Sequence, residues 1–283
     1  MLYLMLDQGY LYIVCNKEKF YEEAFRSAKS LRKVDGNAHI TIICDRKIKN
    51  VDRLFDKVII RAFKPSNFIE AILYRVRYLY ELSPYKKTFF VDSDTYFFES
   101  AHCLFRLLDY YDVCLAQAPS DVNIPHIKGQ IMEGYTPYNM GILLFRKNAA
   151  NKKLFSSWLK IYDEKKNIYP THDQPSFVEA LLDAKSRVYT LSSLWNARLP
   201  AYQSFPASTI KIVHGRHDDY EKLRKIMNSV SVNRAWDPRR QKLIYRKRDV
   251  LRQKLSPSQL SIVRKLLLPF SRIGIRIINP SDR

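Results

Sequence analysis

Two aspartates, Asp92 and Asp94, flank Ser93 directly after the apolar run 88–91. At the end of a strand, both carboxylates can project into one oxygen-rich site, which suits Mg²⁺ or Mn²⁺. Such sites take few protein ligands and let substrate phosphates complete the shell. The alternative is a polar loop that caps a helix. The apolar runs on both sides favour the metal site, because an acidic pair between buried segments is electrostatically costly without a cation.

A histidine ends a second apolar run. His214 follows residues 210–213 and precedes Gly215, with His217 close by. A neutral imidazole at the end of a strand is a candidate third metal ligand. An isolated histidine is more often a core or surface residue, but the position after a strand favours the ligand role. His217 is the weaker candidate.

Four further polar or small residues stand where elements begin. Asp173 and Gln174 open a predicted helix, where an aspartate is favoured by capping and by the helix dipole, or where both side chains could face a substrate. Asn139 and Gly141 form either a plain turn or a place where the backbone approaches a substrate closely.

Two arginines lie on the helix predicted before the aspartate pair. Arg75 and Arg77 are either solvated surface residues or include one side chain that reaches toward a diphosphate. The guanidinium group suits phosphate oxygens well.

Strand-like and helix-like runs alternate along the chain, which predicts an α/β fold with a mostly parallel central sheet. The segment 119–137 has no clear periodicity and is predicted to be a loop. The predicted strands cover residues 10–15, 39–44, 57–60, 88–91, 112–116, 139–145 and 209–213, and the predicted helices cover 20–33, 68–82, 151–162 and 173–182. Ligands of such sheets bind beyond the carboxyl ends of the strands, where Asp92 and His214 are expected.

The composition bounds the function. The 283 residues suit one α/β domain with an appendage, and only 7 are glycine. The Gly-rich signatures of dinucleotide sites and P-loops are absent. The net charge of +20 implies anionic partners such as phosphorylated substrates, acidic membranes or nucleic acid.

Cysteine usage and the N-terminus indicate a location. Cys15, Cys44 and Cys114 lie in strand-like runs, and neither they nor Cys103 form a CxxC pair, so we interpret them as reduced thiols. The apolar start of the chain lacks a basic region and is a poor signal peptide. No run is long enough for a membrane-spanning helix. These features predict a cytoplasmic protein.

The C-terminal part is strongly basic. Residues 230–283 contain 14 Lys/Arg and 3 Asp/Glu, and so hold +11 of the net charge of +20. We expect a domain over residues 1–229 and a basic, largely helical extension over 230–283. A basic segment followed by an apolar helix face can lie on an anionic membrane at its cytoplasmic side, or pack back on the domain, and the sequence leaves both open. The apolar face consists of Leu260, Val263, Leu266, Leu267 and Phe270.

Taken in order, these segments resemble the GT-A-type glycosyltransferases, near the glycogenin and bacterial galactosyltransferase group. The resemblance covers about residues 10–217. It is carried by five segments: Val14-Cys15-Asn16 with Tyr21, the run 83–95 that contains Asp92-Ser93-Asp94-Thr95, the strand 138–145 with Asn139 and Gly141, His172-Asp173-Gln174-Pro175, and Ile212-Val213-His214.

The resemblance implies a single Rossmann-like GT-A domain that binds a nucleotide-sugar donor, with a UDP-sugar favoured, and a glycan or lipid-linked acceptor. It implies that Asp92, Asp94 and His214 bind Mn²⁺ or Mg²⁺ and that Asp92 also touches the ribose. Asn139, Asp173 and Gln174 are the implied catalytic residues. The implied donor-binding residues are Cys15, Asn16, Tyr21, Arg77, Asp92, Ser93, Gly141 and Arg216.

One segment departs from the family pattern. The glycogenin-like Gly-x-x-Lys-Pro-Trp is replaced by Gly215-Arg216-His217-Asp218, so a phosphate-binding lysine is missing and Arg216 is the candidate substitute. The resemblance favours a retaining reaction. Two other functions remain open, a nucleotidyltransferase with a similar sheet and a basic nucleic-acid-binding protein. Nucleic acid is the weaker expectation, because the basic residues cluster away from Asp92 and no nucleic-acid-binding signature occurs.

Overall fold

A seven-stranded sheet lies at the centre of the computed structural model, which describes residues 5–48, 54–63, 65–118, 126–127, 130–131, 138–254 and 259. The strands are β1 (Leu6–Val14), β2 (Ile40–Cys44), β3 (Lys57–Ile60), β4 (Tyr85–Val91), β5 (Thr95–Phe97), β6 (Val113–Gln117), β7 (His126–Ile127), β8 (Gln130–Ile131), β9 (Tyr138–Arg146), β10 (Val188–Leu191), β11 (Ala197–Arg198), β12 (Gln203–Phe205), β13 (Ile212–His214), β14 (Arg234–Asp237) and β15 (Lys242–Tyr245). The helices are α1 (Glu18–Val34), α2 (Phe68–Glu81), α3 (Ala149–Lys165), α4 (Gln174–Leu182), α5 (Tyr220–Met227) and α6 (Lys247–Lys254), with 3₁₀ segments at His102–Asp109 and Ser193–Trp195.

The central sheet has the order β10-β6-β9-β4-β1-β2-β3. Strand β9 pairs antiparallel with both β4 and β6, and the other pairs in the sheet are parallel. This confirms the predicted α/β fold with a mostly parallel sheet. The central strands are apolar throughout, as every residue of β2 is buried, because helices cover both faces of the sheet.

The helices seal the two faces with amphipathic stripes. On one face, α1 buries Ala24, Ala28 and Leu31 against β1 and β2. On the other, Val76 of α2 and Trp158 of α3 join the second core cluster. The sheet is therefore a rigid platform whose carboxyl edge carries the polar residues.

Two smaller sheets flank that edge. Strand β13 lies between β11 and β5, pairing parallel with β11 and antiparallel with β5. Strands β12, β14 and β15 form the other sheet, in which Trp236 of β14 is buried and donates from its indole nitrogen to the Leu199 carbonyl at 2.9 Å. This sheet crosses the boundary expected at residue 229, because β14 and β15 pack on the domain.

The basic extension is described only in part. Residues Lys247–Lys254 form α6, whereas the apolar face expected over residues 260–270 lies outside the described residues. The predicted loop 119–137 also lies mostly outside them. In the part of the chain that is described, no helix has the length and apolar character needed to cross a membrane.

The cysteines match the interpretation as thiols. Cys15, Cys44 and Cys114 are buried, Cys103 is exposed, and all four are free. Burial, with a contribution from Asp45, raises the pKa of the Cys15 thiol to about 12. The three buried cysteine side chains therefore pack as small apolar groups.

Candidate active site

Asp92, Asp94 and His214 converge at the carboxyl edge of the central sheet. The candidate ligand atoms of the three residues lie within 4.8 Å of one another. The His214 Nε2 atom is 3.1 Å from Asp94 Oδ1 and 3.6 Å from Asp92 Oδ2. Two carboxylates and one imidazole facing a common point are a donor set that Mn²⁺ or Mg²⁺ accepts.

The backbone fixes this convergence. Asp92 leaves β4 with its N–H donating to the Gly141 carbonyl of β9 at 2.9 Å. The Thr95 hydroxyl donates to the Asp92 carbonyl at 2.8 Å, which closes the turn into β5. Because Thr95 of β5 is the register partner of His214 in β13, the strand pairing brings the histidine beside the aspartates.

Gly141 provides the space in which the cluster assembles. A Cβ atom at this position would lie 1.9 Å from His214 Cε1 and 2.8 Å from Asp92 Oδ2. No side chain can occupy this place without displacing two of the three candidate ligands. The sequence pattern assigned Gly141 to donor binding, and the structure places it directly behind the acidic cluster.

A buried amide network orients the histidine. The His214 Nδ1 atom lies 3.0 Å from Asn196 Oδ1, and the Asn196 amide nitrogen donates to Asn139 Oδ1 at 2.9 Å. Because Asn196 Oδ1 can only accept, Nδ1 of His214 donates to it, and the other ring nitrogen, Nε2, faces the aspartates. Asn139 is buried, and its Oδ1 also accepts from the Gly141 N–H at 3.1 Å. In this structure Asn139 therefore acts as a positioning residue behind Asn196, which the sequence pattern did not reveal.

Arg75 bridges the cluster to the start of α4. Its guanidinium donates to Asp92 Oδ1 at 2.9 Å and to Asp173 Oδ2 at 2.5 Å. Burial alone would lower the pKa of Arg75, but Asp173 and Asp92 raise it overall. Its buried Nε atom has no hydrogen-bond partner among the described residues. Arg75 thus bridges the two carboxylates and holds them at fixed positions.

Arg77 does not join the cluster, which corrects its predicted place. It is exposed and lies beside Leu73, Glu70 and Lys166. Successive helix residues are about 100° apart, so residues 75 and 77 point to different sides of α2. The arginine that reaches the aspartates is Arg75.

Asp173 and Gln174 stand at the start of α4. Asp173 is buried, and its side chain makes no capping hydrogen bond to the helix, so the capping interpretation does not describe it. Its carbonyl oxygen accepts from the Ser176 hydroxyl at 2.7 Å and from the Trp158 indole at 3.2 Å. The Asp173 carboxylate forms an ion pair with Arg75 instead. Gln174 is half-buried at the first position of the helix.

A cavity of about 380 Å³ opens beside the cluster, and we call it the central cavity. The charged and polar members of its wall include both aspartates and two arginines. The lining residues include Cys15, Phe20, Arg75, Asp92, Ser93, Asp94 and Arg216. An anionic ligand in this cavity would therefore meet guanidinium groups as well as the candidate metal site.

The turn after β1 shapes one wall of the central cavity. Asn16 has φ of 75°, a left-handed conformation that asparagine tolerates better than most residues. Its N–H donates to Asp45 Oδ2 at 2.7 Å, and the Tyr21 hydroxyl donates to Asp45 Oδ1 at 2.5 Å. Tyr21 is buried and does not line the cavity, whereas Phe20 does. Tyr21 therefore supports the turn, while Phe20 is an aromatic residue that a ligand in the cavity can contact.

Arg216 is anchored from α1. It donates to both carboxylate oxygens of the buried Glu23, at 2.5 and 3.1 Å. The hydrogen bond that Arg216 donates to Glu23 raises the pKa of Arg216. Burial would raise the pKa of Asp94, but His214, Arg198 and Arg216 lower it well below its usual range. The cluster is thus a fixed carboxylate centre with cationic groups at its rim, suited to a cation and a diphosphate together.

A family model agrees with this arrangement. The model for nucleotide-diphospho-sugar transferases matches residues 43–204, which is more than half of the chain. No curated protein sequence matches the chain closely enough to count as a relative.

Solved glycosyltransferase structures share the fold. Mouse xyloside xylosyltransferase 1 in its apo form is 13% identical, with a TM-score of 0.52, and the match covers 75% of this chain and 98% of that one. The galactosyltransferase LgtC, solved with donor and acceptor sugar analogs, is 13% identical, with a TM-score of 0.52 and coverage of 79% and 96%. The glycosyltransferase GlyE of Streptococcus pneumoniae TIGR4 is 14% identical, with a TM-score of 0.50 and coverage of 81% and 58%. At these identities the likeness concerns the fold, and it confirms the GT-A architecture expected from the sequence.

Proposed function

Because the chain belongs to the nucleotide-diphospho-sugar transferase family and is therefore a glycosyltransferase, we propose that it transfers a hexose from a UDP-sugar to a hydroxyl acceptor with the help of Mn²⁺ or Mg²⁺. The observation that carries this proposal is the convergence of Asp92, Asp94 and His214 beside a cavity rimmed by arginines. The bond from C1 of the sugar to the diphosphate breaks and a bond to the acceptor oxygen forms. The products are a glycoside, the nucleoside diphosphate and a proton.

The three converging residues hold the cation in this proposal. Their donor set fits it, because Gly141 keeps the space clear and Asn196 turns Nε2 of His214 toward the aspartates. The bound cation supplies neutralisation of the charge that develops on the leaving diphosphate.

The surrounding side chains supply the other functions. Arg216, fixed by Glu23, contributes positive charge in place of the missing lysine, which the family pattern has two positions later, where this chain has Asp218. Arg75 forms ion pairs with Asp92 and Asp173 and so fixes the positions of both carboxylates. Asp173 and Gln174 stabilise the positive charge that develops on the transferred sugar, and the resemblance to the glycogenin group supports retention at C1.

We also propose an acceptor and a cellular location. We infer an acceptor that is a growing glycan or a lipid-linked glycan, and a protein that works in the cytoplasm or at the cytoplasmic face of the membrane. The support is the charge of +11 on residues 230–283, which suits an anionic surface.

Donor hydrolysis followed by proton NMR tests the proposed function without knowledge of the acceptor. We expect the full chain to release UDP from at least one UDP-hexose when Mg²⁺ is present, and to stop when EDTA removes the metal. The first sugar formed should keep the α configuration of the donor before mutarotation. A β sugar would replace retention by inversion. Release of pyrophosphate, or cleavage of no nucleotide sugar, would contradict the proposed function.

A further inference from the structure

Two more cavities adjoin the central cavity on the side of the small C-terminal sheet. The first measures about 720 Å³ and shares Asp94 and Arg216 with the central cavity. Because its wall also carries Arg198, Tyr202 and Arg239, we call it the arginine cavity. The second measures about 650 Å³ and shares Tyr202 and Trp236 with the first. The three cavities therefore lie in a row that begins at the candidate metal site.

The arginine cavity is positively charged. Three arginines, Arg198, Arg216 and Arg239, line it together with one carboxylate, that of Asp94. The charge of Arg216 is balanced by its ion pair with Glu23, so two arginines remain against the single carboxylate of the wall. That carboxylate belongs to the cluster with His214. A neutral sugar needs no such set of charges, whereas a carboxylate or phosphate group is bound well by guanidinium groups.

Arg239 is held in place by its turn. It lies between β14 and β15, where Asp237 Oδ1 accepts from the N–H groups of Arg239 at 3.0 Å and Arg240 at 3.1 Å. Its guanidinium lies 5.9 Å from the centre of the Tyr202 ring. The hydrogen bonds fix the backbone of the turn, and the Tyr202 ring limits the guanidinium on one side. Arg239 therefore loses less conformational freedom on binding an anion than an arginine in a flexible loop.

The farther cavity has the character of a neutral sugar site. Its wall contains the amide of Gln117 and the hydroxyl-bearing residues Ser192, Ser193 and Ser204. Tyr202, of which half is exposed, stands between the two cavities. An aromatic face beside several hydrogen-bonding groups matches the mixed apolar and polar surface of a sugar ring. We call this the serine-lined cavity.

We propose that the arginine cavity binds an anionic sugar residue of the acceptor, one that carries a carboxylate or a phosphate, and that the serine-lined cavity holds the next residue of the same glycan. This inference rests on the proposed function. The anion belongs to a glycan rather than to a lipid headgroup, because hydroxyl and amide groups line the neighbouring serine-lined cavity.

Ligand-observed NMR titrations of the full chain test this inference. The probes are glucose, glucose 6-phosphate, glucuronic acid, inorganic phosphate and octyl phosphate, and UDP with Mg²⁺ is titrated separately. We expect glucose 6-phosphate and glucuronic acid to bind about tenfold more tightly than glucose, the size of one charge-assisted hydrogen bond. Arg239→Gln should remove most of that advantage and leave the affinities for glucose and UDP unchanged. Arg240→Gln, the neighbouring exposed arginine outside the cavity wall, should change none of them.

Several outcomes would overturn the inference. Equal binding of glucose and its charged analogues would remove the anionic preference. Equally tight binding of inorganic phosphate would show a bare anion site, and tighter binding of octyl phosphate would show a lipid phosphate site. A parallel loss of UDP affinity in Arg239→Gln would assign the cavity to the donor. Failure of the wild type to bind UDP concerns the proposed function instead and leaves the sugar titrations readable.

Discussion

Replacing Asp94 with alanine is expected to lower the rate of UDP release by about 10³-fold, the scale of losing a charge-stabilising group in the transition state. The carboxylate lies 3.1 Å from His214 Nε2, and it also borders both the central cavity and the arginine cavity. Its removal leaves Asp92 and His214 alone to hold a cation. The measurement is UDP release from the donor at saturating Mg²⁺, with circular dichroism to confirm that the variant is folded.

Asp109→Ala is the matched control for this variant. Asp109 is an exposed aspartate that pairs with Lys87 at 2.6 Å, and Lys87 lies toward the opposite end of β4 from Asp92. A surface ion pair of this kind contributes about 0–1 kcal/mol, so activity should stay at the wild-type level. If Asp94→Ala kept the activity of this control, the cluster would not be the active centre.

Replacing Gly141 with alanine is expected to lower the rate by about 10²-fold, because displacing a reacting group by about 1 Å has effects of that size. The new methyl group would need the space of His214 Cε1, 1.9 Å away, and of Asp92 Oδ2, 2.8 Å away. Overpacking at this point should also reduce the free energy of unfolding by about 1–3 kcal/mol. The measurements are UDP release and chemical denaturation on the same preparation.

Gly36→Ala separates this steric effect from a general effect of losing a glycine. A Cβ atom at Gly36 would meet no other atom within 4 Å. Its activity and stability should therefore match the wild type. Full activity in Gly141→Ala would show that the close approach of β9 to His214 and Asp92 is not needed for function.

Six of the seven strands of the central sheet follow from the sequence as apolar runs, whereas the short and partly exposed edge strand β10 was not predicted. Strands such as β2 and β9 are buried along nearly their whole length, so local composition is sufficient to place them. The strands β11, β12 and β14 have two to four residues each and depend on partners far away in the chain. Their positions are set by tertiary pairing, which a local pattern does not contain.

The acidic cluster was predictable for a related reason. Asp92 follows an apolar strand of the central sheet and His214 ends another apolar strand, and the carboxyl ends of strands are where α/β folds bind ligands. The two strands belong to different sheets, and β5, which follows Asp94 and pairs with β13, brings them together. Asn196 was not predictable in the same way, since it lies after the 3₁₀ segment Ser193–Trp195 and before a two-residue strand. The available signal was one amide within the otherwise mainly apolar segment 194–199.

Helical spacing alone distinguishes Arg75, which reaches the aspartates, from Arg77, which does not. Arg75 lies three residues after Ile72 and four before Leu79, both of which are buried, so it shares their side of α2. Arg77 does not share this spacing. The same spacing does not separate Tyr21 from Phe20, which lie three and four residues before the buried Ala24. The structure buries Tyr21 and leaves Phe20 in the wall of the central cavity.

Anomalous scattering from Mn²⁺ in a crystal of the full chain grown with UDP tests the central claim most directly. The account predicts one manganese peak in contact with Asp92, Asp94 and His214, the three residues that converge in this structure. It also predicts density for the diphosphate between that peak and Arg216. Bound UDP with no manganese at the cluster, or manganese at another site on the chain, would contradict it.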